Sequence, residues 1–163
     1  MSLLTDSMRE MLEGRRYATL ATQDPDGSVH LTPVWYLFDQ GLLYIECPSA
    51  SRKARNVTRR GTASMVIDSR RPGSESWVSV SGPAELLKGE ASKEINSRIL
   101  RRYLTKEAIE NPKIGPLLAI VDDATIRVKP ERWRSWSAKQ IDDQYFGGIL
   151  SATPEKWFLP LDG

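Results

Sequence analysis

The sequence predicts a mainly β domain, a small antiparallel barrel with peripheral helices, and two observations carry that prediction. Short apolar stretches are punctuated by turn residues, as at Asp24-Pro25-Asp26-Gly27 and Asp39-Gln40-Gly41. The helical stretches are few and do not alternate with the strands, which argues against a parallel βαβ sheet. Neither glycine-rich phosphate loop is present, since no Gly-x-Gly-x-x-Gly follows a strand and no Gly-Lys-Ser/Thr occurs.

Each element follows from local pattern. Met8, Met11 and Leu12 fall at helical spacing and Ser7 with Glu10 has capping-box spacing, so residues 5–14 form a short helix ending at Gly14. Residues 17–22 form a strand, residues 28–38 return after the turn, and residues 42–46 add a third strand, which makes a meander. Ser51 suits an N-cap because its hydroxyl can accept a free amide of the next turn, and Gly61 closes the helix 52–60. Residues 62–68 and 75–88 form two more strands. Within the second, Gly82-Pro83 interrupts the ladder and marks a bend, because proline has no amide hydrogen to give. Residues 90–104 form a helix whose stripe Ala91, Ile95, Ile99 and Tyr103 faces the sheet, opposite Lys93, Glu94, Arg98 and Arg101. Strands 124–130 and 132–137 close the β part, and the tail carries the apolar patch Trp157-Phe158-Leu159-Pro160-Leu161.

At 163 residues the chain can bury one core without disulfide or metal staples, so it reads as a single domain, 5–163, with segment 138–163 packed on the barrel or on a partner chain. Cys47 and His30 are the only cysteine and histidine, which argues against disulfide frameworks, Cys/His zinc sites and Cys–His nucleophilic pairs. Both are read as structural, because Cys47 has no second cysteine and His30 stands alone on a strand. The net charge of +2 is too small to argue for nucleic acid. No apolar run reaches the length of a membrane span and no signal pattern opens the chain, so the expected compartment is the cytoplasm. Met1-Ser2-Leu3 is read as an expression leader.

The most informative stretch is Ser51-Arg52-Lys53-Ala54-Arg55-Asn56. Arg52, Lys53, Arg55, Arg59 and Arg60 bring five cations into nine residues with no acid among them. Cations at a helix N-terminus are disfavoured by roughly 0.3–1 kcal/mol each, so Arg52 and Lys53 are locally misplaced, whereas Arg59 and Arg60 lie in the favoured last turn. A dianionic phosphate would reverse that penalty, because amides, dipole and two side-chain cations converge on it. A solvated basic face is the other reading of the same charges.

Residues 17–22, the turn at Asp26-Gly27, Pro33-Val34-Trp35-Tyr36, the stretch 51–56 and Gly82-Pro83-Ala84-Glu85 resemble, in order and spacing, the pyridoxamine 5'-phosphate oxidase-related, flavin-binding split barrels. The resemblance implies a six-stranded antiparallel split β-barrel, a homodimer, and FMN or a deazaflavin, coenzyme F-420, in the cleft between subunits. It implies that Arg52 and Lys53 hold the cofactor phosphate, with Ser51 capping the same turn. Leu31, Thr32, Pro33, Val34, Trp35 and Tyr36 match the strand that runs along the flavin ring. Pro33 withdraws an amide from the ladder, so that strand is non-central or bulged and neighbouring backbone groups can turn to a ligand. Glu46 and Cys47 match a pair that also touches flavin, although glutamate departs from the pattern. Trp77 stands where a glutamine often binds the cofactor, which leaves it a stacking or wall role. The segment 130–136 resembles the one that brings a tryptophan to the partner's flavin, with Trp136 the matching residue. Core or dimer packing is the alternative for Trp77, Trp133 and Trp136. True pyridoxamine phosphate oxidases carry a basic substrate motif where this chain has Asp142 and Asp143, so that named activity is not implied.

These readings combine into an FMN-binding oxidoreductase that passes a hydride between flavin and a small, largely apolar or conjugated organic substrate, with no catalytic side chain and no metal. Two alternatives stand beside it. One is a deazaflavin-dependent reductase on the same fold, and the other is a non-enzymatic module that holds a flavin or haem. A nucleic-acid surface over residues 52–60 with Arg70 and Arg71 lacks aromatics at stacking spacing.

Overall fold

Caps and tight turns set the order of the elements in the computed structural model, which describes residues 4–161. Met1-Ser2-Leu3 and the last two residues of the predicted domain therefore lie outside the described residues. The chain runs α1 (Asp6–Glu13), β1 (Ala18–Gln23), β2 (Val29–Val34), β3 (Leu37–Asp39), β4 (Leu42–Cys47), α2 (Arg52–Arg60), β5 (Thr62–Ser69) and β6 (Ser76–Lys88). It continues through α3 (Glu90–Tyr103), α4 (Lys106–Glu110), α5 (Gly115–Val121), β7 (Ala124–Val128), β8 (Arg132–Ser137), α6 (Ala138–Tyr145) and α7 (Ile149–Ala152). All strand pairs are antiparallel, in the order β2-β1-β5-β6-β7-β4-β3, with β8 also on β6.

Among the described residues eight strands form where six were expected, and the meander is not made. The predicted strand 28–38 breaks at Trp35 and Tyr36 into β2 and β3. The Tyr103 hydroxyl explains the break, because it accepts from the Tyr36 amide at 3.3 Å and contacts the Tyr36 carbonyl at 3.3 Å, in place of a neighbouring strand. Beyond the break the chain has changed sheets, so β4 pairs with β3 and β7 rather than with β2. Proline fits β2 because that strand lies at the edge of the sheet.

Gly82-Pro83 marks a second change of sheet. Residues 76–83 of β6 pair with β5, and from Ala84 onward the strand pairs with β7. A Cβ at Gly82 would overlap the carbonyl oxygen of Lys129, so the close approach of the β7–β8 connection requires glycine. Alternating residues of both sheets meet in one core, with Leu20, Tyr36, Leu43, Ile45, Ile67, Val78, Ile126 and Val128 fully buried. The Tyr36 hydroxyl donates to the Leu12 carbonyl at 2.9 Å and ties α1 to that core.

Two helices differ from their predicted faces. In α1 the cap is Thr5, whose hydroxyl accepts from the Met8 amide, and Ser7 lies inside the first turn. In α3 the buried face is Ser92, Asn96, Ile99 and Leu100, while Ala91 is exposed. Polar satisfaction decides this rotation. The Asn96 amide donates to the carbonyls of Asp122 and Ala124 at 2.7 and 3.2 Å, and the Thr125 hydroxyl donates to Asn96 Oδ1 at 2.6 Å. No helix among the described residues is long and apolar enough to cross a membrane.

Replacing Gly82 by alanine forces a methyl group into backbone and is expected to cost about 1–3 kcal/mol. A lower urea midpoint with an unchanged slope is the expected readout.

Candidate functional site

The start of α2 is built by one local bond and one distant carboxylate. Ser51 Oγ accepts from the Ala54 amide at 3.3 Å, and Gly61 ends the helix in the left-handed region at φ 65°. Buried Ala54, Asn56 and Val57 hold the helix against the sheet. The carboxylate is Asp24, at the start of the β1–β2 turn and only 4% exposed. Arg52 donates to it through Nε and Nη2 at 2.7 and 2.6 Å, and the Asn56 amide donates at 2.9 Å. The Arg60 guanidinium donates to the Asp24 backbone carbonyl at 3.2 Å.

Arg52 therefore finds its counter-charge within the chain. The Arg52 hydrogen bond, then that of Asn56, holds the Asp24 carboxyl well below the usual carboxylate range. Sequence reasoning assigned Asp24 to turn chemistry and missed this role. Its only signal was an aspartate beginning a turn, which says nothing of a partner 28 residues away.

Lys53 points elsewhere. It lines a cavity of about 330 Å³ with Tyr17, Pro33, Val34, Trp35, Glu46, Leu118 and Asp122. The Trp35 ring is held parallel to Tyr103 at a centroid distance of 5.0 Å. Glu46 stands opposite Thr125 in the β4–β7 register, and its Oε2 atom is buried without a hydrogen-bond partner. Burial, followed by the nearby Asp122 charge, pushes the Glu46 carboxyl up to about 8. Burial raises Asp122 as well, against the opposing pull of Lys53. At neutral pH the cavity thus offers an ammonium group, a protonated carboxyl that can donate a hydrogen bond, and an aromatic wall.

The remaining candidates are dispersed. Leu31 is 62% exposed on β2, and Thr32 is hydrogen-bonded to His30 Nε2 at 2.9 Å. Tyr36 and Cys47 are buried in the core and do not line this cavity. Burial pushes the Cys47 thiol up to about 11, which keeps it neutral. Trp77 and Trp136 are direct partners across β6 and β8, and they line a different cavity from Lys53. Trp133 packs edge-on against Phe38 with centroids 6.4 Å apart. Asp142 accepts from the Leu150 and Ser151 amides at 3.1 and 2.8 Å, so it orders the C-terminal segment. Among the described residues, no group of three or more His, Cys, Asp or Glu side chains could hold a metal ion.

A group whose folded value is depressed contributes stability above its unfolded value, and that stability is lost as pH falls through the folded one. Asp24 belongs to this class. Thermal melts from about pH 5 to about pH 2 are expected to show a steeper loss for the native chain than for Asp24→Asn, which has no carboxylate to protonate.

The comparisons with known proteins agree with this architecture. No curated protein matches the sequence. Among solved structures, a conserved hypothetical protein from Mycobacterium tuberculosis is 26% identical, with a TM-score of 0.69 over 85% of this chain and 88% of that one. An F420 reductase is 22% identical, with a TM-score of 0.62 over 77% of this chain and 94% of its own. HutZ, the heme storage protein from Vibrio cholerae, is 15% identical, with a TM-score of 0.60 over 83% and 95%. The last two likenesses show the fold alone. The pyridoxamine 5'-phosphate oxidase family model matches residues 4–137. The match spans the barrel from α1 to β8, and the chain belongs to that family.

Proposed function

We propose that this chain is an FMN-binding oxidoreductase that works as a homodimer on a small organic substrate. The observation that carries the proposal is the convergence of Pro33, Val34, Trp35, Glu46 and Lys53, from three separate elements, on one cavity beside a serine-capped helix start. The residues fit the cofactor. Glu46 Oε2 is a buried polar atom without a partner, Trp35 supplies a flat wall, and Lys53 supplies the charge that a phosphate needs.

FMN bound there would supply hydride transfer at its central ring. Lys53, Ser51 and the first amides of α2 would hold the phosphate, while Arg52 stays paired with Asp24 and fixes the start of the helix. Pro33 and Trp35 border the ring. The exposed apolar side chains of Tyr17, Val29 and Leu31 form the face covered by the second copy. Trp77 and Trp136, which lie away from Lys53 in their own chain, reach the cleft of that second copy.

A deazaflavin, coenzyme F-420, is the second reading, and one observation favours it. Arg55 and Arg59 line a further cavity beside the Arg52–Asp24 pair and Asp26, and these two arginines are what a longer anionic tail would meet. The absorption spectrum and mass of cofactor released from purified protein separate the two. A module that only stores flavin or haem, a use that the likeness to HutZ brings to mind, is told apart by turnover. Bound cofactor that is reduced and never re-oxidised by any acceptor would favour it.

Charged hydrogen bonds contribute roughly 1.5–3 kcal/mol, so Lys53→Ala is expected to weaken FMN binding about tenfold or more in a fluorescence titration. Unchanged affinity would sink the proposal. The pH dependence has a definite sign. Below about 8 the Glu46 carboxyl is neutral, and above it a negative charge stands beside the ligand. FMN affinity is therefore expected to fall as pH rises through about 8, and Glu46→Gln is expected to flatten that fall.

A further inference from the structure

A second cavity, of about 240 Å³, lies between α1, β6 and β8 and shares no lining residue with the Lys53 cavity of the same chain. Its apolar lining comes from Met8, Met11, Trp77, Val78 and Trp136. This volume falls below the roughly 300–1,000 Å³ of most drug-sized ligand pockets and suits a single ring. Trp77 and Trp136 face each other across the β6–β8 register, and two indoles are suited to a flat ligand.

Arg16 also lines the cavity, and it is anomalous. Its side chain makes no hydrogen bond or ion pair with any described residue, and its Nε atom is buried without a partner. Buried donors are nearly always satisfied, and here the unsatisfied Nε belongs to a half-buried arginine that lines the cavity. The position is nonetheless built. A Cβ at Gly14 would stand 3.3 Å from Nε, so glycine there leaves room for the Arg16 side chain beside the end of α1. Arg16 is not needed to cap that helix end, because Arg102 already donates to the Glu13 and Gly14 carbonyls at 2.9 and 2.6 Å.

Around Arg16 stand Ser76, Ser135, Ser137 and Gln140, none with a side-chain hydrogen bond to the described residues. Glu10 borders the same space without pairing with Arg16, which leaves an acceptor for a donor group on a ligand. A guanidinium that keeps its fork uncommitted is matched to a carboxylate.

We propose that this cavity binds a small planar carboxylate, whose charged end pairs with Arg16 and whose ring lies against Trp77 and Trp136. Binding does not depend on flavin at Lys53. Only the identification of this carboxylate as the substrate rests on the flavin reading, since Trp136 would then border the cleft of the second copy.

The test is calorimetric titration of the purified protein, with whatever cofactor it carries, using benzoate and its neutral isostere benzamide. Benzoate is expected to bind saturably and at least tenfold more tightly than benzamide. Arg16→Met is expected to remove that difference and Arg16→Lys to keep part of it, with the thermal midpoint not lowered because the Arg16 side chain makes no hydrogen bond to lose. Trp136→Ala, at a position 42% exposed, is expected to weaken both ligands. Equal binding of benzoate and benzamide, no saturable binding, or full benzoate affinity in Arg16→Met overturns the proposal. FMN titration of the same samples reports on the flavin reading separately, so either can fail alone.

Discussion

The Tyr103 hydroxyl stands where a neighbouring strand would otherwise be. It engages the Tyr36 amide and carbonyl, and it donates to the Arg16 carbonyl at 2.6 Å, so three backbone groups away from any ladder are satisfied by one side chain from α3. That economy allows the chain to leave one sheet after β2 and enter the other at β3. The stacked Trp35 ring is carried out of the ladder toward Lys53, while Tyr36 turns into the core and anchors α1. Both cavities depend on this junction. Tyr17 borders one and Arg16, its neighbour in sequence, borders the other.

Charge is distributed around the junction by burial as much as by sequence. Arg52 is neutralised by Asp24, so Lys53 is the cation that its cavity presents. Glu46 and Asp122 share that cavity, and both are pushed toward the neutral form by burial. The cradle for an anion is thus conditional on the Glu46 carboxyl keeping its proton. In the second cavity, by contrast, the Arg16 side chain has no hydrogen-bond partner among the described residues.

Much of the fold was legible from the chain. The bounds of α2, its Ser51 cap and its Gly61 stop agree with the structure, because caps and left-handed ends are hydrogen bonds and dihedral preferences within a few residues. The bend at Gly82-Pro83 was legible for the same reason, although its purpose, handing β6 from one sheet to the other, was not. The helices α4 and α5 had no counterpart in the sequence reading. They are short, and Leu117, Ile120 and Val121 of α5 are exposed, so no clear burial period marks them. The rotation of α3 was misread because apolar spacing favoured Ala91 and Ile95, whereas buried Asn96 and Ser92 answer to Thr125 and the carbonyls before it.

The family and the antiparallel architecture could be read from the order and spacing of short motifs along the chain, and the basic, serine-capped start of α2 from residues within a single turn. Only the tertiary structure decided which cation faces the cavity, which carboxyl is buried beside it, and that Arg16 lies unpaired under Gly14. The physical reason is that charge state and exposure are set by neighbours tens of residues away. Asp24 with Arg52, Glu46 with Asp122, and Tyr103 with Tyr36 are pairs that no local pattern could have joined.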